Sequence, residues 1–435
     1  METQRNFLHF PLEVILEVFS WCSKSDLLSL TLVCKDFNEV ISNCSKLMER
    51  VSLTLTPAKV KNNEIWGGIR KYSHVLVQSS HPQKALIFRD NKNYLTNLEI
   101  KDIKVRLECL RKTFFKFPYL KHLKLDSICV RPVDNGYFEG PLPALDLDTL
   151  YLKCDKKILF FLMNTQTKKL TVNSSLAMPD ERLPYKLFLK SQKFLKEFIT
   201  CGLYVDHPIF DSGQLNQVEF RLEKLVMKNL CEKPVPNFTN FLENHRESLK
   251  EVNITNLAEK GDFCDDVLNH LSTFKNLKRL VLTSVDPTFK PMPYVEELLF
   301  LRVRAYTNLK WSDKFLNVER LILSCDDNEK IKELINLKKL QCLVVYHATP
   351  LPSIKIPITF RRIRAFQKPN NEIRYFEEEN ERLRGLLTET CNLTNFVYDR
   401  IRALQRNTRF VSVTYTLSRM FFHRDLIQFL EYLEN

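Results

Sequence analysis

LKHLKLDS, residues 120–127, sets Leu123 and Leu125 at alternate positions with Lys124 and Asp126 between and after them, the period of an extended strand with one face buried. The frame LxxLxL recurs along the chain: LTNLEI ends at Ile100, LDTLYL at Leu152, LEKLVM at Met227, LKEVNI at Ile254, LKRLVL at Leu282 and VERLIL at Leu323. Looser copies are KKLTV at Val172, LKEFIT at Thr200 and VEELLF at Phe300, and NLKKLQCLVV near Leu340 and FRRIRAF near Ile363 are more degraded still. Successive anchors, taken at the second motif position, lie 18 to 28 residues apart. A period of that size predicts stacked supersecondary units in place of one closed core.

Four residues after the anchor stand Asp102, Ser127, Cys154, Ser174, Asn229, Asn256, Ser284 and Cys325, all small and able to hydrogen-bond locally where a strand turns away. NFTNFLENHRESL (237–249) and DDVLNHLSTFKNL (265–277) have helical apolar spacing, with Asp265 a candidate cap. Each unit therefore reads as strand, turn, helix. Period, frame and small residue together resemble leucine-rich repeats. The expected fold class is α/β: an irregular leucine-rich-repeat solenoid over residues 95–370, its parallel sheet on the concave face and its helices on the convex face. Residues 51–94 connect to it and start it, and 371–435 read as degenerate repeats and a C-terminal cap, with a helix around Ile373 to Leu387, a strand at RFVSVTY (409–415) and a closing helix at LIQFLEYL.

Residues 1–50 differ. In FPLEVILEVFSWCSKSDLLSLTLVCKDFNEVI, residues 10–41, Pro11 suits the first turn of a helix, and Leu12, Ile15, Leu16 and Phe19 follow at helical spacing. Glu13 suits the dipole there. Ser25 or Asp26 is placed to cap a second helix whose Leu27, Leu28, Leu30, Leu32 and Val33 cover more than one side. Val33, Phe37, Val40 and Ile41 are again helically spaced. The order of FPLEVILEVF, a short polar break and DLLSLTLVCKDF resembles the F-box, over Phe10 to Ile41 and toward Arg50. It departs from the usual pattern at Phe10, Cys22 and Phe37, and each keeps an apolar group. The resemblance implies a helical domain that docks onto the Skp adaptor, and through it onto a cullin and a RING subunit. Phe10, Pro11, Leu12, Ile15, Leu16, Leu27, Val33 and Phe37 are the positions for adaptor contact or domain core, undivided between the two.

Composition excludes several classes. Eight glycines in 435 residues argue against Gly-rich nucleotide loops, and twelve scattered cysteines without a CxxC pair read as reduced, mostly buried thiols. No Walker loop, GxSxG or HExxH occurs; His245 with Glu247, and Cys264 beside Asp265 and Asp266, are chance neighbours. No catalytic residue, cofactor or metal is expected. No signal-like start and no apolar run long enough to span a membrane is seen, so a cytoplasmic or nuclear setting is expected and the sequons at Asn237 and Asn253 carry no weight.

Charge and register bear on partners. Residues 1–50 hold five Lys or Arg against seven Asp or Glu, whereas Lys101 to Lys124 holds eight basic residues against Asp102 and Glu108, and RRIR occupies 361–364. An acidic or phosphorylated target, nucleic acid or an anionic surface suits this field, although solvation accounts for most of these side chains. No nucleic-acid-reading motif is present, and nucleic acid is not an expected partner. Positions flanking the last motif leucine project from the concave face: Glu99, Lys101, Lys124, Asp126, Tyr151 and Lys153 early, then Val226, Val281, Leu299, Leu301, Ile322, Val344 and Tyr346. The later apolar strip is the candidate substrate-binding surface, unless a C-terminal helix covers it or the register is off by one. The reading is a substrate-recognition subunit of a Skp/cullin/F-box ubiquitin ligase, with an unknown protein substrate. A non-degradative repeat scaffold and a protein binding polyanions through its basic solenoid are the alternatives.

Overall fold

The computed structural model describes residues 10–56, 72–78, 95–131, 142–154, 156–173, 182–204, 210, 218–229, 236–256, 265–282, 290–303, 310–325, 336–340, 342–347 and 362–367. The expectations for 371–435, and for Ser174, Cys264 and Ser284, lie outside them. The chain divides into two units, residues 1–228 with 236–248 and residues 229–235 with 249–435.

The first unit opens with four helices, α1 (Leu12–Trp21), α2 (Lys24–Leu30), α3 (Lys35–Asn43) and α4 (Ser45–Glu49). Parallel strands follow: β1 (Ser52–Leu55), β2 (His74–Gln78), β3 (Asn97–Val105), β4 (His122–Val130), β5 (Asp146–Cys154), β6 (Gln166–Val172), β7 (Glu197–Tyr204) and β8 (Lys224–Asn229). Helix α5 (Leu107–Phe114) lies between β3 and β4, α6 (Lys156–Phe161) between β5 and β6, α7 (Arg182–Ser191) between β6 and β7, and α8 (Pro236–Glu243) after β8. The motif anchors are register partners: Leu98 pairs Leu123, then Leu150, Leu170, Phe198 and Leu225. The ladder also reaches back through Val75 to Leu53, so it starts immediately after the helical segment.

In the second unit β9 (Glu251–Asn256), β10 (Arg279–Leu282), β11 (Glu297–Val303), β12 (Arg320–Cys325), β13 (Cys342–His347) and β14 (Arg362–Gln367) form a parallel ladder, with α9 (Asp265–Leu271) before β10 and α10 (Trp311–Lys314) before β12. Val252, Leu280, Leu298, Leu321, Leu343 and Ile363 are the successive partners, so the degraded copies are strands too.

One hydrogen-bond device recurs where strands open. Lys121 and His122 both donate their N–H to the Thr96 carbonyl at 2.8 and 2.9 Å, and Asp148 and Thr149 both donate to Lys121. Glu296 and Glu297 do the same to Lys278 in the second unit. Each unit of the ladder is thereby locked to the one before it, which is how a quasi-one-dimensional stack satisfies its opening donors.

The small residue four after the anchor behaves in two ways. Asn229, Asn256 and Cys325 end their strands, as expected. Asp102 and Ser127 do not: β3 and β4 run on to Val105 and Val130, with these residues at φ 55° and 58°. A single left-handed residue shifts the alternation by one. Leu98 and Ile100 are buried before it and Ile103 and Val105 after it. The position suits Asp, which tolerates the left-handed region, where a β-branched residue does not. Asp102→Val is expected to cost about 1–2 kcal/mol in urea unfolding, while Asp102→Gly stays within about 0.5 kcal/mol of wild type; equal stabilities for Val and Gly would mean that this kink imposes no backbone constraint.

Candidate partner-docking surface

The helical segment is built around Ile15, Phe19, Leu27, Ile41, Leu47, Met48 and Val51, with Leu16, Leu28, Phe37, Val40 and Tyr72 packed against that core. Phe19 meets Phe37 edge to face, with ring centroids 5.2 Å apart. Local geometry corrects two expectations and adds a cap. Pro11 is the residue before the helix, at φ −52° and ψ 145°, and its carbonyl accepts from Val14 and Ile15 at 3.0 and 3.2 Å. Helix α2 is capped by Ser23, not by Ser25 or Asp26. Ser23 Oγ accepts from the Asp26 N–H while the Ser23 N–H donates back to Asp26 Oδ2 at 3.1 Å, a reciprocal box that turns the chain sharply out of α1. Those Ser23 bonds hold the Asp26 carboxyl below its ordinary value. Helix α3 is capped by Cys34, whose Sγ accepts from the Phe37 N–H at 3.4 Å.

Helix α2 stops at Leu30, so Leu32 and Val33 leave it and stand 85% and 66% exposed instead of lining its buried side. The eight sequence candidates therefore separate. Ile15 and Leu27 are core, Leu16 and Phe37 are packed against it, and Phe10, Pro11, Leu12 and Val33 face solvent. Sequence reasoning missed Val14, Val18 and Trp21, which form a second apolar stripe on α1 at spacings of four and three, with exposures of 42%, 42% and 81%. The signal was present, because α1 has apolar residues on two sides and only one can face its own core. Glu17 accepts from the Trp21 indole N–H at 3.2 Å and steadies that ring in its exposed position. Few chains leave a tryptophan, three valines and two leucines this open within 24 residues without a partner to cover them.

The candidate substrate strip is half visible. Val281, Leu299, Ile322 and Val344 are successive register partners on β10 to β13, so the strand register predicted them correctly as one row. Tyr346 sits opposite Ser324, and Leu301 falls within the shifted register after Phe300. Val281 and Leu299 are only 1% and 3% exposed, so this end of the row is a covered surface and not the wet one that the binding reading requires. In the first unit the corresponding face is partly open and laced with cross-strand pairs. Glu99 meets Lys124 at 2.8 Å, Asp126 meets Lys153 at 3.4 Å, and the Asn173 amide donates to the Tyr151 hydroxyl at 3.1 Å.

His245, one of the chance neighbours, is a core residue. It is fully buried, stacked on Phe220 at 5.4 Å and edge-on to Phe241 at 4.7 Å, and its Nδ1 accepts from the Leu222 N–H at 3.3 Å. Burial, with Arg221 adding to it, pushes its pKa down to about 3. Among the described residues no group of His, Cys, Asp and Glu could hold a metal ion, and no helix is long and apolar enough to cross a membrane.

The four helices, their core and their uncovered apolar face coincide with one comparison. Residues 7–54 match the F-box-like family model. No curated protein sequence matches the chain. The F-box-like domain thus ends within β1, the first strand of the ladder.

Proposed function

We propose that this chain is the substrate-recognition subunit of a Skp/cullin/F-box ubiquitin ligase. The observation that carries the reading is the solvent-facing apolar surface of the F-box-like domain, formed by Leu12, Val14, Val18 and Trp21 on α1 with Leu32 and Val33 after α2. Such a face fits the Skp adaptor, and the adaptor carries the cullin and RING subunits. The parallel ladder after it resembles a leucine-rich-repeat array, a fold that binds proteins along its length. No residue of this chain is assigned a catalytic role. Tethering a substrate near the charged ubiquitin carrier raises the effective concentration of its lysines, and the transfer itself runs on other subunits. The role implies a cytoplasmic or nuclear setting.

The test is co-purification from cells of wild type and a Leu12→Asp/Val18→Asp variant. Adaptor and cullin are expected with the wild type and not with the variant, while substrates held by the ladder stay with both. Recovery of the adaptor without a cullin would favour a non-degradative scaffold. Recovery of neither with wild type would sink the docking reading.

A further inference from the structure

The residues that give the chain its positive charge are gathered on three consecutive helices of the first unit. Residues 106–121, 156–165 and 182–196, which are α5, α6 and α7 with the residues leading to the next strand, carry twelve Lys or Arg and a single acid, Glu108. That surplus of eleven accounts for most of the formal +13 of the whole chain. The flanking Asp155 and Glu181 lie outside the described residues. Glu108 is itself neutralised, held by Arg111 at 3.0 Å and Lys112 at 3.5 Å. Other elements contribute acids to this region, three of them paired with a lysine: Asp148 with Lys168 at 2.8 Å, Glu219 with Lys193 at 3.5 Å and Glu223 with Lys196 at 2.8 Å. Asp146, whose backbone carbonyl accepts from Lys121 Nζ at 3.4 Å, adds a fourth.

Large rings stand open among these lysines. Phe115 is 53% exposed, Tyr119 56%, Phe160 44% and Phe194 62%. Each belongs to a pair in which the neighbour faces the core. Phe114 and Phe161 are buried and meet with centroids 5.9 Å apart, which places α5 beside α6 and leaves Phe115 and Phe160 outward. Helix α6 packs in turn on α7. Tyr119 and Phe194 occupy equivalent turns, one leading into β4 and one into β7, so they lie on the same rim, three strand spacings or about 14 Å apart. Lys116 and Lys121 flank Tyr119 along the chain, and Lys190 and Lys193 precede Phe194.

We infer that this helical face is a docking surface for an anionic phospholipid membrane. Charge selects an anionic partner, and three features select lipid over nucleic acid. The basic residues are nine lysines to three arginines, point charges on flexible stems and not the planar forks that read bases and clamp phosphates. The exposed rings are mostly phenylalanines, with no polar edge to satisfy, and they crown helices and turns instead of lining a groove that could track a strand. Rings of this kind enter the headgroup boundary while lysines reach anionic headgroups beside them. The surface shares no residue with the adaptor-docking face, so either reading can fail alone.

The test is sedimentation of the purified full chain with vesicles of phosphatidylcholine alone and with about one third phosphatidylserine, at low and high salt. The protein is expected to pellet with the anionic vesicles only, and less at high salt. Lys116→Ala/Lys190→Ala should weaken partitioning about 25-fold, from about fivefold per lysine. Phe115→Ser/Phe194→Ser should weaken it about 10-fold at unchanged charge. Both variants should keep the wild-type circular dichroism and adaptor capture. Pelleting that ignores phosphatidylserine, or that neither variant alters, overturns the inference. So does tighter binding of a single-stranded oligonucleotide that displaces the vesicles. Vesicle binding without adaptor capture by the wild type leaves this inference standing and removes the ligase reading.

Discussion

Replacing Leu12, Val18 and Trp21 together with Asp, Asp and Ala will weaken capture of the Skp adaptor by at least about 100-fold and leave the urea midpoint of the chain close to that of wild type. The three side chains are 53%, 42% and 81% exposed and belong to none of the core around Phe19. Truncating a central interface anchor costs about 2 kcal/mol or more, and a carboxylate forced into an apolar contact adds desolvation to that loss. A core substitution on the same helix, three positions after Leu16, separates the two roles. Phe19→Ala removes a ring packed on Phe37 and should cost about 3–5 kcal/mol of stability, so adaptor capture then fails because the domain has opened. Surface plasmon resonance on immobilised adaptor, read beside urea unfolding, distinguishes the cases. Near-wild-type capture by the triple variant would mean that α1 presents some other face to its partner.

The second large effect is a loss of stability on acidification that traces to His245. An isolated histidine titrates near 6.5, whereas this one is held neutral down to about 3 by burial between Phe220 and Phe241. The folded state therefore binds its proton later than the unfolded chain. Its stabilising contribution is complete above the unfolded value and is lost as the pH falls through the window from 6.5 toward 3. Between pH 7 and pH 5 that amounts to about 2 kcal/mol. His245→Gln keeps an acceptor for the Leu222 N–H and has nothing to titrate, so it should be less stable than wild type at pH 7 and should lose about 2 kcal/mol less between the two pH values. Parallel pH profiles for the two proteins would show that the imidazole does not carry the linkage.

These two cases mark what the sequence discloses. The ladder was legible because LxxLxL alternates buried and open positions, and Leu98, Leu123 and Leu150 are register partners as their shared motif position implies. β1 and β2 were not singled out, since SLTL and HVLVQ alternate without the leading leucine that frames the other strands. The F-box pattern was legible as a set of apolar positions, but spacing on a helix gives an angle and not a direction. Ile15 and Val14 are neighbours in sequence, one 4% and the other 42% exposed, and only the packing of α3 and α4 decides which is which. The cap moved from Ser25 or Asp26 to Ser23 for a similar reason, because Asp26 works from inside the helix as the returning half of the box. Val281 and Leu299 show the converse, a register read correctly and an exposure that the register could not supply.

Val51 and Tyr72 lie beyond the four helices, yet Val51 belongs to their core and Tyr72 packs against it, while Lys24 of α2 donates to Ser52 of β1 and Ser73 donates to the Met48 carbonyl at 3.4 Å. The F-box-like domain and the first strands thus share a packed joint. A target gripped near these strands would be aimed by the joint as by a bracket, so reach and angle at the ligase would be set at folding and not searched for by diffusion of a tether. Loosening the joint with a short Gly-Ser insert after Arg50 would trade that fixed aim for a wandering one, and it would take the keystone out of the domain's own core in the same stroke.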